Sequence, residues 1–186
     1  FVRRGWTVAV GCYFENDAQV VNSIESAGAR VIRLGLRRIP GRINPAVAVK
    51  LISGVFRELR RFAPDIVHVQ YLNPGMPPVI AARLAGYPVL ATIHSQPADK
   101  ARGLWISRRC LPAIADFIVC VSNHTDRLMF GECDANGRRD TRRATIHNAV
   151  NIPPESLAGT RKTVRGELGL ADARIVGVVS RLSHEK

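Results

Sequence analysis

Short apolar runs of strand length alternate along the chain with longer segments whose apolar residues recur at helical spacing. The strand-like runs are residues 6–12, 30–35, 65–70, 88–94, 116–122, 144–150 and 174–180. The segments with helical period are residues 16–29, 45–62, 77–86 and 104–115. Alternation of this kind predicts βαβ units and therefore a parallel sheet.

Two of the strand-like runs, FIVCV (117–121) and IVGVV (175–179), are apolar on both faces. Such runs are typical of central strands in a parallel sheet that helices cover on both sides. The predicted fold class is therefore α/β, with a parallel sheet and helices on both faces.

Turn and cap residues agree with these elements. Glycines stand where three predicted helices should end, at Gly28, Gly86 and Gly169. Residues that cap helix N-termini stand at Asn16, Ser122 and Thr160. Residues 153–173 are expected to form a connector and one helix before a new strand begins.

The chain is strongly basic, with 27 Lys and Arg against 15 Asp and Glu, a net charge of +12. This surplus favours polyanionic partners, namely nucleic acid, anionic lipid surfaces or phosphorylated small molecules, without choosing among them. A simpler interpretation is that the arginines are only solvated. The composition is otherwise that of a globular protein, 46% hydrophobic and 23% charged, which excludes a disordered chain.

The cysteines and the apolar stretches suggest a compartment. The four cysteines show no C-x-x-C spacing, so neither a zinc site nor a thioredoxin-like motif is indicated. Cys12 and Cys120 lie in strand-like runs, where a reduced cysteine is a small core residue. No signal peptide is recognisable, and residues 77–93 are too interrupted to span a bilayer. We expect a cytoplasmic protein.

Arginine is concentrated in two loops and one helix. The loops are residues 36–44 and 131–143, and the second is predicted to be a surface excursion. The helix is predicted at 45–62, and it carries Arg57, Arg60 and Arg61. This helix could contact an anionic membrane, but packing on the sheet with a solvated arginine face is the preferred interpretation.

Candidate site residues follow two of the predicted strands. Ligands of open parallel sheets bind beyond the carboxyl ends of the strands, where His94 is expected to point into the crevice. Gln70, Tyr71 and Asn73 end the preceding strand and could contact a hydroxylated acceptor. His68, inside that strand, is expected to pack in the sheet. The plainer alternative is that these polar groups only satisfy loop backbone.

Two further segments could bind an anion. Ser122 and Asn123 begin a helix, whose free N–H groups attract anions, although an ordinary helix cap is the commoner role. In VVSRLSHEK (178–186), Arg181 and Lys186 follow an apolar run and could neutralise a diphosphate. A surface loop could hold the same pattern.

Taken together and in order, seven segments resemble the retaining GT-B glycosyltransferases of family 4. They are RRGWTVAVG (3–11), APDIVHVQ (63–70), AARLAGYPVLATIH (81–94), ADFIVCVSNHT (115–125), ATIHNAVNIP (144–153), RGELGL (165–170) and IVGVVSRLSHEK (175–186).

The resemblance implies two Rossmann-like domains that face each other across a cleft. Residues 1–170 would form the acceptor-side domain, incomplete because the family's first strand and Gly-rich loop would precede Phe1. Residues 171–186 would begin the donor-binding domain. The whole enzyme would transfer a sugar, with retention, from a nucleoside-diphosphate sugar to a hydroxyl acceptor, which could be a glycan, a lipid-linked molecule or a small molecule. This piece alone is expected to be inactive.

The resemblance also assigns roles to residues. His94 matches the family's catalytic histidine, and Arg181 with Lys186 matches the pair that holds the donor diphosphate. Three more positions would line the cleft: Tyr71, Ser122 and Asn148. No metal or other cofactor is expected. Basic loops could hold the enzyme at the inner face of an anionic membrane.

The chain also departs from the family's pattern. The frequent N-G-[VI]-D motif reads Asn148-Ala149-Val150-Asn151 here, and Glu185 is misplaced for the family's donor-site glutamates, which would lie beyond Lys186. The alternative function is a basic, non-enzymatic nucleic-acid-binding module. Its charge fits, but aromatic residues are scarce and no recognition motif is present.

Overall fold

The computed structural model contains six parallel strands and six α-helices in the part of the chain that it describes. The described residues are 1–14, 17–36, 45–70, 76–94, 109–131, 141–150, 157–170 and 173–174. The strands are β1 (Ala9–Cys12), β2 (Arg30–Arg33), β3 (Val67–Gln70), β4 (Val89–Ile93), β5 (Phe117–Cys120) and β6 (Arg143–Thr145). Each strand overlaps one of the predicted strand-like runs and is shorter than that run.

Five of the α-helices are α1 (Ala18–Ser26), α2 (Pro45–Phe62), α3 (Pro77–Leu84), α5 (Asn123–Phe130) and α6 (Leu157–Glu167). The helical residues 109–114 form α4 as far as it is described. A short 3-10 turn, Val2–Arg4, precedes β1. The prediction of α2 was correct at both ends.

The strands are divided between two parallel sheets. One sheet contains β1 and β2, and the other contains four strands in the order β3-β4-β5-β6. Each strand of the larger sheet is joined to the next by a helix-containing connection, which places all carboxyl ends at one edge. The predicted class of parallel α/β fold, flanked by helices, is confirmed.

The main core lies on one face of the four-stranded sheet. Val69, Ala91 and Ile118 are register partners on this face, and they pack with residues of α3, α4 and α5. The core includes Cys120, as the sequence predicted. Because side chains alternate along a strand, His68, Gln70, Thr92 and His94 are directed to the other face.

A second core cluster links α2 to α3 and to the small sheet. Leu51 and Val55 of α2 pack with Ala81 of α3, and Tyr13 and Leu34 close the cluster after β1 and β2. Burial raises the pKa of the Tyr13 phenol to about 12, so it stays neutral at physiological pH. The arginine side of α2, with Arg57, Arg60 and Arg61, is exposed. The arginine face is therefore solvated as expected, but the opposite face packs mainly on α3 and on residues that follow β1 and β2, not on the strands of a sheet.

Glycine ends the helices where the sequence predicted. Gly28, Gly86 and Gly169 have φ values of +84°, +85° and +63°. At Gly28 a Cβ atom would lie 2.9 Å from Cγ1 of Val2, so both the backbone conformation and the close approach require glycine.

The predicted caps have different outcomes. Ser122 caps α5. The prediction for Thr160 was wrong, because α6 begins three residues earlier and Thr160 lies inside it. Asn16 lies outside the described residues, and its neighbour Asp17 caps α1 by accepting a 2.8 Å hydrogen bond from the N–H of Gln19.

The chain separates into two compact units, Phe1–Asn148 and Ala149–Lys186. The second contains α6, and its Arg165 donates a 2.6 Å hydrogen bond to the carbonyl of Ala173 just beyond the helix. In the described parts of the chain, none of the helices combines the length and the apolar character that a membrane crossing requires.

Candidate functional site

A group of polar side chains lies where β3 and β4 end. Gln70 is the last residue of β3 and is the register partner of Thr92 in β4. His94 follows β4 directly. Because both strands are parallel, their carboxyl ends bring these side chains to one edge of the sheet, as predicted for His94 and Gln70.

Hydrogen bonds join the four polar side chains into one chain, here called the histidine network: Thr92, His68, Gln70 and His94. Nε2 of His68 lies 2.7 Å from Oγ1 of Thr92. The amide nitrogen of Gln70 lies 3.1 Å from Nδ1 and 3.0 Å from Nε2 of His68. Nε2 of His94 lies 2.7 Å from Oε1 of Gln70.

The network runs from the interior to the surface. Thr92 is buried, whereas His68, Gln70 and His94 are exposed. Desolvation, and secondarily the neighbouring His94, hold the pKa of His68 below its ordinary value, which favours the neutral ring. The expectation that His68 only packs in the sheet was therefore incomplete. It connects the buried hydroxyl of Thr92 to the exposed amide of Gln70.

The N-terminus of α5 adjoins the same edge of the sheet. The N–H of Val121 donates a 3.2 Å hydrogen bond to the carbonyl of Ile93, so the segments that lead to His94 and to Ser122 run side by side. The hydroxyl of Ser122 accepts a 3.0 Å hydrogen bond from the N–H of Thr125 and lies 2.9 Å from its Oγ1. Ser122 thus acts as a helix cap, the plainer of the two predicted roles.

Between α5 and β6 lies a buried ion pair that the sequence analysis missed. Nε of Arg143 lies 2.8 Å from Oδ1 of Asp126, and the two side chains are 8% and 6% exposed. The contact is an ion pair between opposite charges. The arginine also donates a 3.3 Å hydrogen bond to the carbonyl of Gly131 and stacks on Phe130.

This ion pair corrects part of a prediction. Residues 131–143 were expected to form a surface excursion, but Arg143 begins β6 and is buried. Residues 132–140 lie outside the described part. The available signal was the strand-like run that follows at Ala144, together with the acidic residue in the first turn of α5. A buried arginine of this kind is paired because an isolated buried charge is costly.

Of the remaining candidate residues, the structure describes Asn148. Asn148 lies three residues beyond β6 and is exposed. Tyr71, Asn73, Arg181 and Lys186 lie outside the described residues, as does nearly all of the predicted strand 174–180. Within the described ranges, no three His, Cys, Asp or Glu side chains are grouped as metal ligands.

Comparison with protein families gives one match. Residues 1–152, more than half of the chain, match the model of Glycosyltransferase Family 4. No curated protein matches the sequence at a significant level.

Solved structures share the fold. A glycosyltransferase from Rickettsia africae ESF-5 superposes with a TM-score of 0.63 at 14% identity, over 92% of this chain and 44% of its own. Alr3699/HepE of Anabaena, solved with UDP, gives 0.62 at 18% identity, over 94% and 46%. A sucrose-phosphate synthase from Thermosynechococcus elongatus gives 0.53 at 15% identity, over 90% and 89%. The chain spans less than half of the length of the first two proteins.

Proposed function

The chain belongs to Glycosyltransferase Family 4, and we propose that it forms the acceptor side of a site that transfers a sugar from a nucleoside-diphosphate sugar to a hydroxyl group. The observation that carries this proposal is the position of His94. It stands exposed at the carboxyl edge of a parallel sheet, held by Gln70, which is where open α/β sheets bind their ligands.

Similarity to solved structures supports a proposal for the donor class. HepE of Anabaena was solved with UDP, with UDP and glucose, and with UDP-glucose. By similarity, the donor here would be a nucleotide sugar. The transfer would retain the anomeric configuration. Because the chain spans less than half of these relatives, we propose that transfer requires a polypeptide in which a donor-binding half follows.

In that polypeptide, His94 would contact the reacting sugar or the acceptor hydroxyl, and Arg181 with Lys186 would stabilise the leaving diphosphate. Negative charge develops on the diphosphate as the sugar–phosphate bond breaks, and positioned donors stabilise it without reorganisation. Tyr71, Ser122 and Asn148 would line the cleft. Ser122 would do so through its backbone, since its hydroxyl is engaged in capping α5.

The test is a screen of nucleotide sugars with the longer polypeptide and with the 186-residue chain. We expect turnover only in the longer polypeptide. There, His94→Ala or Arg181→Ala should lower kcat by roughly 10²–10³-fold, the loss typical of removing one oxyanion-type donor. Lys50→Ala, which removes an exposed charge from α2, is the control. Wild-type turnover in the His94 and Arg181 variants would contradict the proposal.

A further inference from the structure

The orientation of the Gln70 amide sets the direction of the hydrogen bonds in the histidine network. Its nitrogen lies 3.1 Å from Nδ1 and 3.0 Å from Nε2 of His68, and Nε2 also lies 2.7 Å from Oγ1 of Thr92. A neutral His68 that donates from Nε2 to Thr92 accepts from the Gln70 amide at Nδ1. With its NH₂ group turned to His68, Gln70 presents its carbonyl oxygen to His94. A carbonyl oxygen only accepts, so Nε2 of His94 is the donor.

The direction of these hydrogen bonds also determines whether Nδ1 of the His94 ring carries a proton. A neutral imidazole carries one proton, so a proton on Nε2 leaves a lone pair on Nδ1. Nδ1 of His94 has no hydrogen-bond partner among the described residues, and the side chain is exposed. It is therefore the end of the network that a ligand can reach.

We propose that Gln70 and His68 are positioning residues that hold neutral His94 as the Nε2–H tautomer, so that Nδ1 accepts a hydrogen bond from a substrate hydroxyl. This inference rests on the proposed function for its substrate class. The tautomer itself does not depend on the proposed function, because all four residues of the network, from His68 to His94, belong to this chain.

The alternative is a histidine that exchanges freely between its tautomers, as an isolated imidazole does. If Gln70 were turned by 180°, its NH₂ group would face Nε2 of His94 and would favour a proton on Nδ1 instead. His68 opposes that rotation when its proton is on Nε2, towards Oγ1 of Thr92, because Nδ1 then accepts from the amide and cannot donate to a carbonyl. Thr92, buried in β4, in turn keeps the His68 ring in place.

The first experiment is ¹⁵N NMR of the histidine rings in the 186-residue protein, at a pH where the rings are neutral. Protonated and unprotonated ring nitrogens differ widely in ¹⁵N shift, so the tautomer of each ring can be assigned. We expect His94 to be a single Nε2–H tautomer. In Gln70→Leu and in His68→Leu, the Nδ1–H fraction should rise several-fold, although no hydrogen bond joins His68 directly to His94 among the described residues.

Two controls accompany these variants. The exposed His147 provides an internal reference in the same spectra, and its tautomer populations should not change. Gln70→Glu retains an acceptor for Nε2–H. Because a carboxylate also favours the charged ring, its spectrum is recorded at a higher pH, where the neutral ring should keep the wild-type tautomer. His68 and Gln70 lie on the face of the sheet opposite the main core, so their replacement should leave that core packed, and the amide spectrum verifies the fold. A mixture of tautomers in the wild type, or an unchanged His94 in His68→Leu, would overturn the inference.

The second experiment measures transfer by the longer polypeptide. Gln70→Leu and His68→Leu should lower kcat while the KM of the donor stays unchanged, and Gln70→Glu should retain more activity than Gln70→Leu. A fixed tautomer without any effect on kcat would overturn the positioning role. Absence of transfer in the wild type would refute the proposed function, and the NMR result would still decide the tautomer.

Discussion

Two groups of polar side chains on the same four-stranded sheet differ in burial and in whether a ligand can reach them. The Asp126–Arg143 pair is buried, of opposite charge and surrounded by further contacts with Gly131 and Phe130. The histidine network begins at the buried Thr92 and ends at an exposed ring nitrogen of His94. Removing one partner of such a buried pair leaves the other charge uncompensated, whereas the exposed end of the network is available to a ligand. The comparison predicts that stability and activity can be changed separately.

The largest expected effect is on stability, from Asp126→Ala. The substitution leaves the Arg143 guanidinium buried without its counter-charge, which typically costs about 3–5 kcal/mol of the free energy of unfolding. Urea unfolding of the purified protein measures this change. The matched control is Arg83→Ala, which breaks the exposed 3.4 Å pair with Asp116 and should cost less than about 1 kcal/mol. Equal losses in the two variants would mean that burial does not distinguish the pairs.

The next effect tests the helix that carries Asp126. Ser122→Ala removes the hydroxyl that accepts from the N–H of Thr125, and it should cost about 0.5–2 kcal/mol. The same urea experiment applies. Ser122→Asp restores an acceptor at the cap and should recover most of the stability. If the aspartate variant remained as unstable as the alanine variant, the capping role would be incorrect.

A smaller effect concerns pH and the neutral ring of His68. Its pKa in the folded state lies below the ordinary value of 6.5. As the pH falls below 6.5, the His68 ring binds a proton in the unfolded chain before it does so in the folded protein. The free energy of unfolding therefore decreases until the pH reaches the lower pKa of the folded state. Wild type should therefore lose more stability than His68→Asn between neutral and acidic pH. Parallel curves for the two proteins would contradict this sign.

The smallest effect on stability is expected at the open end of the network. His94 is exposed and hydrogen-bonded only to Gln70 among the described residues, so His94→Ala should change the free energy of unfolding by no more than about 0.5 kcal/mol. The same substitution should abolish most of the proposed transfer activity. A thermal melt beside the transfer assay separates the two. A large loss of stability would assign His94 a structural role.

Much of the fold was predictable from local pattern. The order of the described strands and helices, both ends of α2, and the glycines after α1, α3 and α6 were predicted correctly. These features depend on spacing within about twenty residues and on the conformational freedom of glycine at positive φ. The start of α6 was not predicted, because Thr160 is a common cap residue but lies inside the helix here.

The candidate site was predictable in part. His94 and Gln70 were both expected at the carboxyl ends of their strands, because that position follows from the end of each apolar run. Their mutual hydrogen bond was not predicted, since the two residues are 24 positions apart in sequence. Arg143 was misread for a related reason. Four arginines in a polar segment look alike in sequence, and only one of them begins β6 opposite α5.

The sequence by itself determined the elements, their order and the strand ends at which polar residues appear, because hydrophobic periodicity is a local property of the chain. The tertiary structure alone decided which of those residues meet. The parallel register of β3 with β4 places Gln70 beside Thr92, and Oε1 of Gln70 lies 2.7 Å from Nε2 of His94. The packing of α5 against β6 places Asp126 on Arg143. Hydrogen bonds and ion pairs act over a few ångströms, and only the folded arrangement of distant segments sets distances on that scale.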